Sequence, residues 1–258
     1  MARFDGKTCI VTGGARGIGE KTCELFAAQG GNVVVGDVNG ELGTQLEKKI
    51  GFRARFFEFD VTSIGSCDRL VQYAVSEFGA VDCVVNSAIK MAPNLLVDLS
   101  RADWYSVIDV GLSGTFLMCQ AAARWMIAAK RPGAIVNISS VGGVAPYGMS
   151  GAYSTMKAAV IMLSNHMGLE WAPMGIRVNS VLPGHIQTPL TSYLNDPEIK
   201  RSRSDATPLK RVGQPVDVAN AILFLLSDEA DYVTCAALSV DGGLSVSVMN
   251  HLPGRTWE

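Results

Sequence analysis

Charge is scarce in this sequence, and no one sign prevails. Only 18% of the 258 residues are Asp, Glu, Lys or Arg, and 22 basic against 24 acidic residues leave a formal net charge of -2. A nucleic-acid binder or a polybasic membrane-surface protein needs a strong basic excess, so the balance argues against both and leaves a small-molecule substrate as the expected partner. Long apolar runs are missing too. Those present, such as Ala221 to Leu226, are far too short for a bilayer, and no transmembrane helix or membrane partner is expected. Met1 to Lys7 leads into a strand-like run without the apolar stretch of a secretory signal, which points to the cytoplasm. The three histidines (His166, His185, His251) are dispersed, and the six cysteines form no Cys-x-x-Cys pair. No metal site is expected, and the cysteines read as buried thiols in a reducing compartment.

What the chain does have is apolar residues, 48% of the total, in a repeating order. Thr8 to Thr12 reads as a strand, followed by a Gly-rich turn and a helix ending at Gly30-Gly31. Asn32 to Asp37 is a second strand, continuous in valine as a parallel strand covered on both faces should be. Further strands are expected over Arg55 to Phe59, Val81 to Asn86, Ala134 to Ser139, Arg177 to Leu182 and Leu238 to Val240. Helices are expected over Glu41 to Ile50, Ile64 to Phe78 with Ser63 as its cap, Ala102 to Lys130, Gly151 to Trp171, and Val216 to Leu226 with Pro215 at its start. Alternating strands and helices imply right-handed crossovers. The expected fold is α/β: one doubly wound Rossmann-type domain over residues 1–258, a parallel seven-stranded sheet with helices on both faces. The least regular stretch, His185 to Gln214, follows the sixth strand on the side where such sheets bind ligands, and is a candidate substrate lid.

After the first strand comes Thr12-Gly13-Gly14-Ala15-Arg16-Gly17-Ile18-Gly19. Glycines there let the backbone approach a pyrophosphate, which the helix N-terminus also attracts. Asp37 ends the second strand, where a carboxylate can accept from the adenosine ribose hydroxyls and repel a 2′-phosphate. That favours NAD over NADP, although Arg16 in the turn could touch a 2′-phosphate. Tyr153 and Lys157 stand four apart on one helix and share a face. A nearby ammonium, together with the positive nicotinamide of an oxidised cofactor, favours the phenolate, which would make Tyr153 a usable base, and Ser140 could hydrogen-bond the same substrate oxygen.

These motifs together resemble the short-chain dehydrogenase/reductase family over nearly the whole chain. Thr12-Gly13 with Gly17 and Gly19 is similar to its glycine pattern, and Asp60-Val61 to its adenine-contacting pair. Ser140, Tyr153 and Lys157 match its Ser and Tyr-x-x-x-Lys, and the resemblance has Lys157 also contacting the cofactor ribose. Pro183-Gly184, with Ile186 and Thr188, is similar to the segment that meets the nicotinamide, and Val240-Asp241-Gly242-Gly243 to the closing signature. Asn86 and Ala88 keep the pattern after the fourth strand, but Ile89 replaces a glycine. Gly111 stands where the family commonly has an asparagine thought to hold a proton-relay water; either a water fills the space, a neighbour such as Ser113 substitutes, or activity is reduced. The resemblance also implies a homotetramer, and a substrate pocket near Lys90, Met91, Val141, Val144, Tyr147, His185, Tyr193 and Leu194. The leading expectation is an NAD-dependent oxidoreductase acting on a secondary alcohol or ketone of ring, polyol or sugar type. The alternatives are an NADPH-dependent 3-oxoacyl-carrier-protein reductase and a catalytically weak dinucleotide-binding regulatory protein. Lys200, Arg201 and Arg203 read as a solvated charge run or a site for an anionic substrate, and the tail from Leu244, with Leu252, Pro253 and Trp257, as a cover for a pocket or a reach to a neighbour.

Overall fold

Parallel pairing organises the chain from its first strand. In the computed structural model, which describes residues 2–247, seven strands form one sheet in the order β3-β2-β1-β4-β5-β6-β7. They are β1 (Thr8–Thr12), β2 (Asn32–Asp37), β3 (Ala54–Glu58), β4 (Cys83–Asn86), β5 (Gly133–Ile138), β6 (Ile176–Pro183) and β7 (Ala237–Val240), and every pairing is parallel. The strand order reverses between β1 and β4, so a crevice opens there at the carboxyl ends.

Side-chain alternation divides the core in two. Cys9, Val11, Val33 and Val35 face one layer, where Phe26 of α1 (Gly17–Ala28), Leu46 of α2 (Gly40–Ile50) and Leu223 of α8 (Pro215–Leu226) cover them. Ile10, Val34 and Val84 face the other, under Leu70 of α3 (Ser66–Phe78), Met118 of α5 (Gly114–Ala128) and Met167 of α6 (Gly151–Trp171). Each such fully buried side chain is worth about 1.5–3 kcal/mol relative to exposure, which is why both faces of the inner strands are apolar.

Several boundaries depart from expectation for local reasons. Ile64 is 97% exposed and lies before α3, which is entered through Gly65 in the left-handed region and not through a Ser63 cap. β4 begins at Cys83, because the Asp82 carboxylate accepts from Thr8 N–H and Arg131. The expected helix from Ala102 is a continuous rod of α4 (Arg101–Ile108), a π turn (Asp109–Ser113) and α5. Contrary to the reading from apolar runs, this 28-residue rod is long and apolar enough by length and composition to cross a membrane. Half of its apolar window is buried in the fold, as in the core helix of a doubly wound sheet. The stretch 185–214 is also more regular than its composition suggested. A 3-10 segment (Pro189–Asn195) leads into α7 (Pro197–Ala206), whose first turn is capped by the Asp196 carboxylate. Leu252, Pro253 and Trp257 lie outside the described residues.

Candidate active site

The glycine turn after β1 is a close approach of backbone to backbone. Gly13 has φ +62°, and a Cβ there would fall 2.7 Å from the backbone of Ala88. Gly17 also has positive φ, and a Cβ on Gly19 would fall 2.3 Å from the Gly13 carbonyl. Side chains at these positions would break the turn or fill the space in front of the α1 N-terminus. Asp37 stands beside it, nearly buried, its carboxylate accepting from Ala15 N–H at 3.0 Å and Asn39 N–H at 3.0 Å. Two strands and the turn thereby hold one carboxylate at the crevice rim.

A cleft of about 630 Å³ runs from this rim along the carboxyl ends of the strands. Gly13, Arg16, Gly17, Ile18, Asp37, Asp60, Val61 and Ala88 line it, together with Ser140, Tyr153, Lys157, Pro183, Gly184, Ile186 and Thr188. Two expected cofactor residues do not line it. Gly19 packs against the turn from behind, and the buried Asn86 side chain donates to Asn137 Oδ1 at 2.8 Å, tying β4 to β5. Motif position marks both residues, but their work is to support the backbone that forms the cleft. Sequence reasoning in turn missed Phe59, Ser106 and Asp109, which line the cleft from unremarkable stretches, while Leu190 and Thr191 reach it from the candidate lid without having been singled out.

Ser140, Tyr153 and Lys157 come together because β5 ends at Ile138 and α6 passes beside it. Ser139 Oγ donates to the Lys157 carbonyl at 2.7 Å, and Lys157 Nζ donates to the Ile138 carbonyl, so strand end and helix are stitched at the lysine. Ser140 Oγ accepts from Gly142 N–H at 3.0 Å, which orients the hydroxyl toward the cleft it lines. The Lys157 ammonium lies 5.7 Å from the Tyr153 ring centroid.

The electrostatics of the protein alone are dominated by burial. Burial pushes the Tyr153 hydroxyl up to about 12, against a lowering by its hydrogen bond with Ser140. Burial also pushes Lys157 down to about 7. In the protein alone desolvation outweighs the pairing of phenolate with ammonium, because both charged forms lose water. A positive charge entering the cleft would act against this burial and favour the phenolate, in line with the expectation for an oxidised nicotinamide.

The expected substrate residues divide. Lys90 lines the cleft, whereas His185 lines a second cavity with Arg211, Asp217 and Asp241. Tyr147 and Tyr193 are about half exposed, at 55% and 47%, and both act electrostatically on Tyr153. Leu194 is fully buried, a core residue and not a pocket wall. Lys200 donates to Gln187 at 2.7 Å, which anchors α7 to the segment after β6. The Asp241 carboxylate accepts from Gly243 and Ser245 N–H, and a Cβ on Gly184 would fall 2.8 Å from Asp241 Cβ, so the closing signature backs the Pro183-Gly184 turn. Among the described residues no group of three or more His, Cys, Asp or Glu side chains is placed to hold a metal ion.

Comparison with known proteins shows what the chain as a whole is similar to. Residues 13–245 match a family model described as enoyl-(acyl carrier protein) reductase. The chain is 40% identical to a 3-oxoacyl-[acyl-carrier-protein] reductase of Chlamydia trachomatis over 93% of this chain and 97% of the relative. It is 35% identical to a 2,5-dichloro-2,5-cyclohexadiene-1,4-diol dehydrogenase of Sphingobium indicum over 95% and 99% of the two chains, and 36% identical to a sorbitol dehydrogenase of Cereibacter sphaeroides over 93% and 98%. A solved short-chain dehydrogenase/reductase from Brucella melitensis, titled a glucose/ribitol dehydrogenase, superposes with a TM-score of 0.88 at 31% identity, covering 94% of this chain and 98% of that one. With the glycine turn, Ser140, Tyr153 and Lys157 on one cleft, the chain belongs to the short-chain dehydrogenase/reductase family and is an oxidoreductase of that family.

Proposed function

We propose that this oxidoreductase interconverts a secondary alcohol and a ketone with NAD(H), and that its substrate is a ring alcohol, polyol or sugar. The observation that carries the reading is the single cleft lined both by Asp37 and by Ser140, Tyr153 and Lys157. The protein fits a dinucleotide: the cleft of about 630 Å³ passes the glycine turn at the start of α1, and Asp37 on its wall offers acceptors to ribose hydroxyls while opposing a 2′-phosphate. Bound there, a nicotinamide would supply the hydride acceptor for oxidation. Gly13, Gly17, Ile18, Asp37, Asp60, Val61 and Thr188 would hold the dinucleotide, and Lys157 would meet its ribose.

In this reading Ser140 donates a hydrogen bond to the substrate oxygen and fixes the carbinol carbon. Tyr153 takes the hydroxyl proton as the carbon loses its hydride, and returns a proton to the oxygen in reduction. Atoms balance as alcohol plus NAD giving ketone, NADH and one proton. Lys157 stabilises the phenolate. The outer faces of α5 and α6 expose Phe116, Leu117, Met162 and Leu169, which suits the tetramer in which we expect the enzyme to work in the cytoplasm.

The 40% identity to 3-oxoacyl-carrier-protein reductases favours a second reading, reduction of a 3-oxoacyl thioester with NADPH. Arg16 on the cleft wall is compatible with it, and Asp37 opposes it. Turnover of secondary alcohols and of a 3-oxoacyl thioester, each with both cofactors, separates the two. NAD reduction by an alcohol class supports the first, and fast oxidation of NADPH by the thioester alone overturns it.

A further inference from the structure

Two loops, after β4 and after β5, meet beside the catalytic residues and are joined there. The Asn94 N–H donates to the Met149 carbonyl at 3.2 Å. Leu96 closes the same seam, since a Cβ on Gly151, the first residue of α6, would fall 2.3 Å from Leu96 Cδ2. Both loops leave from the cleft, the first at Ile89 and Lys90 and the second at Ser139 and Ser140. Ile89, which stands in place of a family glycine, packs against the same apolar cluster as Tyr153. Tyr147 reaches back to the catalytic serine: the Cβ position of Gly142 lies 3.1 Å from Tyr147 Cε1 and 3.4 Å from Ser140 Oγ. The joined loops therefore form a lip that is continuous with the cleft.

This lip is apolar, and it spends its polar groups on itself. Leu95, Leu96, Val97, Val144, Tyr147 and Met149 are 53–87% exposed. Met149 holds φ +61°, a conformation that favours glycine, so a strained position displays an apolar chain. Exposed apolar side chains gathered in this way mark a surface that binds something. Ser139 to Ser150 contains no charged residue, and the first loop carries only Lys90 and Asp98, on either side of its apolar run. Asn94 Oδ1 accepts from the Leu95 N–H at 2.8 Å and its Nδ2 donates to the Asp98 carbonyl at 3.3 Å. Ser150 Oγ is shared between the Tyr147 carbonyl and Ser154 Oγ. A polyol or sugar needs a partner for each hydroxyl that it takes out of water, and these groups are already engaged.

We infer that the lip receives the apolar body of the substrate, which is a ring alcohol or ketone carrying alkyl or aryl bulk and not a polyol or sugar. The inference rests on the dehydrogenase reading and narrows it. Continuity with the cleft makes the substrate the occupant in preference to a partner protein. With the reacting carbon at Ser140 and Tyr153, the rest of the molecule extends over Tyr147 toward Met149 and Leu95.

Two readouts test it. The first is kcat/KM along cyclohexanol and its 4-methyl, 4-ethyl and 4-propyl derivatives, beside inositol and sorbitol. Wild type should gain about two- to fourfold per added carbon, the upper figure being that of a fully buried methylene. The polyols should fall below the alkylcyclohexanols by roughly tenfold or more. Met149→Gly, which relieves the left-handed backbone and deletes only the side chain, combined with Leu95→Ser, should flatten the gain per carbon. The second readout needs no turnover. In protein carrying 13C-methyl methionine, with NAD present so that a ketone cannot react, 4-propylcyclohexanone should shift the Met149 methyl resonance and inositol should not. That resonance is assigned by its loss in Met149→Gly. A shift without turnover of any alcohol supports the lip and strikes the dehydrogenase reading. Polyols turned over faster than the alkylcyclohexanols, a wild-type rate flat with chain length, or an unmoved Met149 methyl overturns the inference. So does a double variant that alters sedimentation but keeps the gain per carbon, which would make the lip a contact between copies of the chain.

Discussion

Asp37 and Ala15 are joined by a hydrogen bond of 3.0 Å from the Ala15 N–H to the Asp37 carboxylate, which locks the end of β2 to the glycine turn after β1. The residue proposed to choose the cofactor is therefore also a brace of the turn that receives it. Replacing Asp37 with serine is expected to weaken NADH binding about 10- to 100-fold, the range for losing a charged hydrogen-bond partner worth about 1.5–3 kcal/mol. The same change removes the charge that opposes a 2′-phosphate, so NADPH should bind better than in wild type. Fluorescence titration with both reduced cofactors checks this, and an unchanged NADH-to-NADPH ratio would remove Asp37 from cofactor selection.

Tyr153→Phe deletes the only group proposed to move a proton at the substrate oxygen. Turnover should fall by roughly 10² to 10⁴, the usual share of general acid/base catalysis, while NADH binding holds. Steady-state rates beside a binding titration separate these effects. Loss of both together would make Tyr153 a binding residue.

Stability should depend on pH through Lys157. Its folded value is lowered to about 7, against roughly 10.4 in the unfolded chain. Below the folded value both states carry the proton, and the burial cost is fully present. As pH rises above it, the folded state releases the proton while the unfolded state keeps it, so this contribution favours folding increasingly up to the unfolded value. Lys157→Met, of similar length and uncharged, should be more stable than wild type near the lower end of that window, with the gap closing toward its upper end. Urea midpoints across the range measure it, and a constant gap would mean that Lys157 is not desolvated.

The buried thiols act in the opposite sense at high pH. Burial raises Cys67 to about 11 and Cys83 and Cys119 to about 12, and it raises Cys9 and Cys23 as well. Unfolded thiols ionise near roughly 8.5, so the unfolded state sheds protons first and folding loses free energy as pH climbs past that value. Cys119→Ala, which leaves Asn86 and Asn137 bonded to each other, should flatten the alkaline loss in melting temperature. An unaltered slope would refute the assignment.

The sequence made the site's chemistry easier to see than its support. β1, β2 and α6 fall where periodicity and punctuation put them, because uninterrupted Val runs and the Pro173–Gly175 stop leave little choice. Tyr153 and Lys157 could be paired by spacing alone, since they share one helix face, and the family resemblance added Ser140 at the strand end. The apolar lip could not be read this way, because Leu95 and Met149 lie far apart in the chain and only the bond from Asn94 to Met149 brings their loops together. The desolvation of Tyr153 and Lys157 was equally invisible, because spacing carries no information on burial. α7 was missed for another reason: its ten residues are mostly polar and its start depends on the Asp196 cap.

The central claim is NAD-linked hydride transfer with Tyr153 as the proton carrier. The most direct test follows nicotinamide reduction with NAD and NADP across secondary alcohols, polyols, sugars and sugar acids, in wild type and Tyr153→Phe side by side. Rapid reduction of NAD by one chemical class, lost in the variant, is the predicted result. Reduction of NADP alone, turnover that survives the loss of the Tyr153 hydroxyl, or tight NADH binding with no turnover of any substrate class would contradict it.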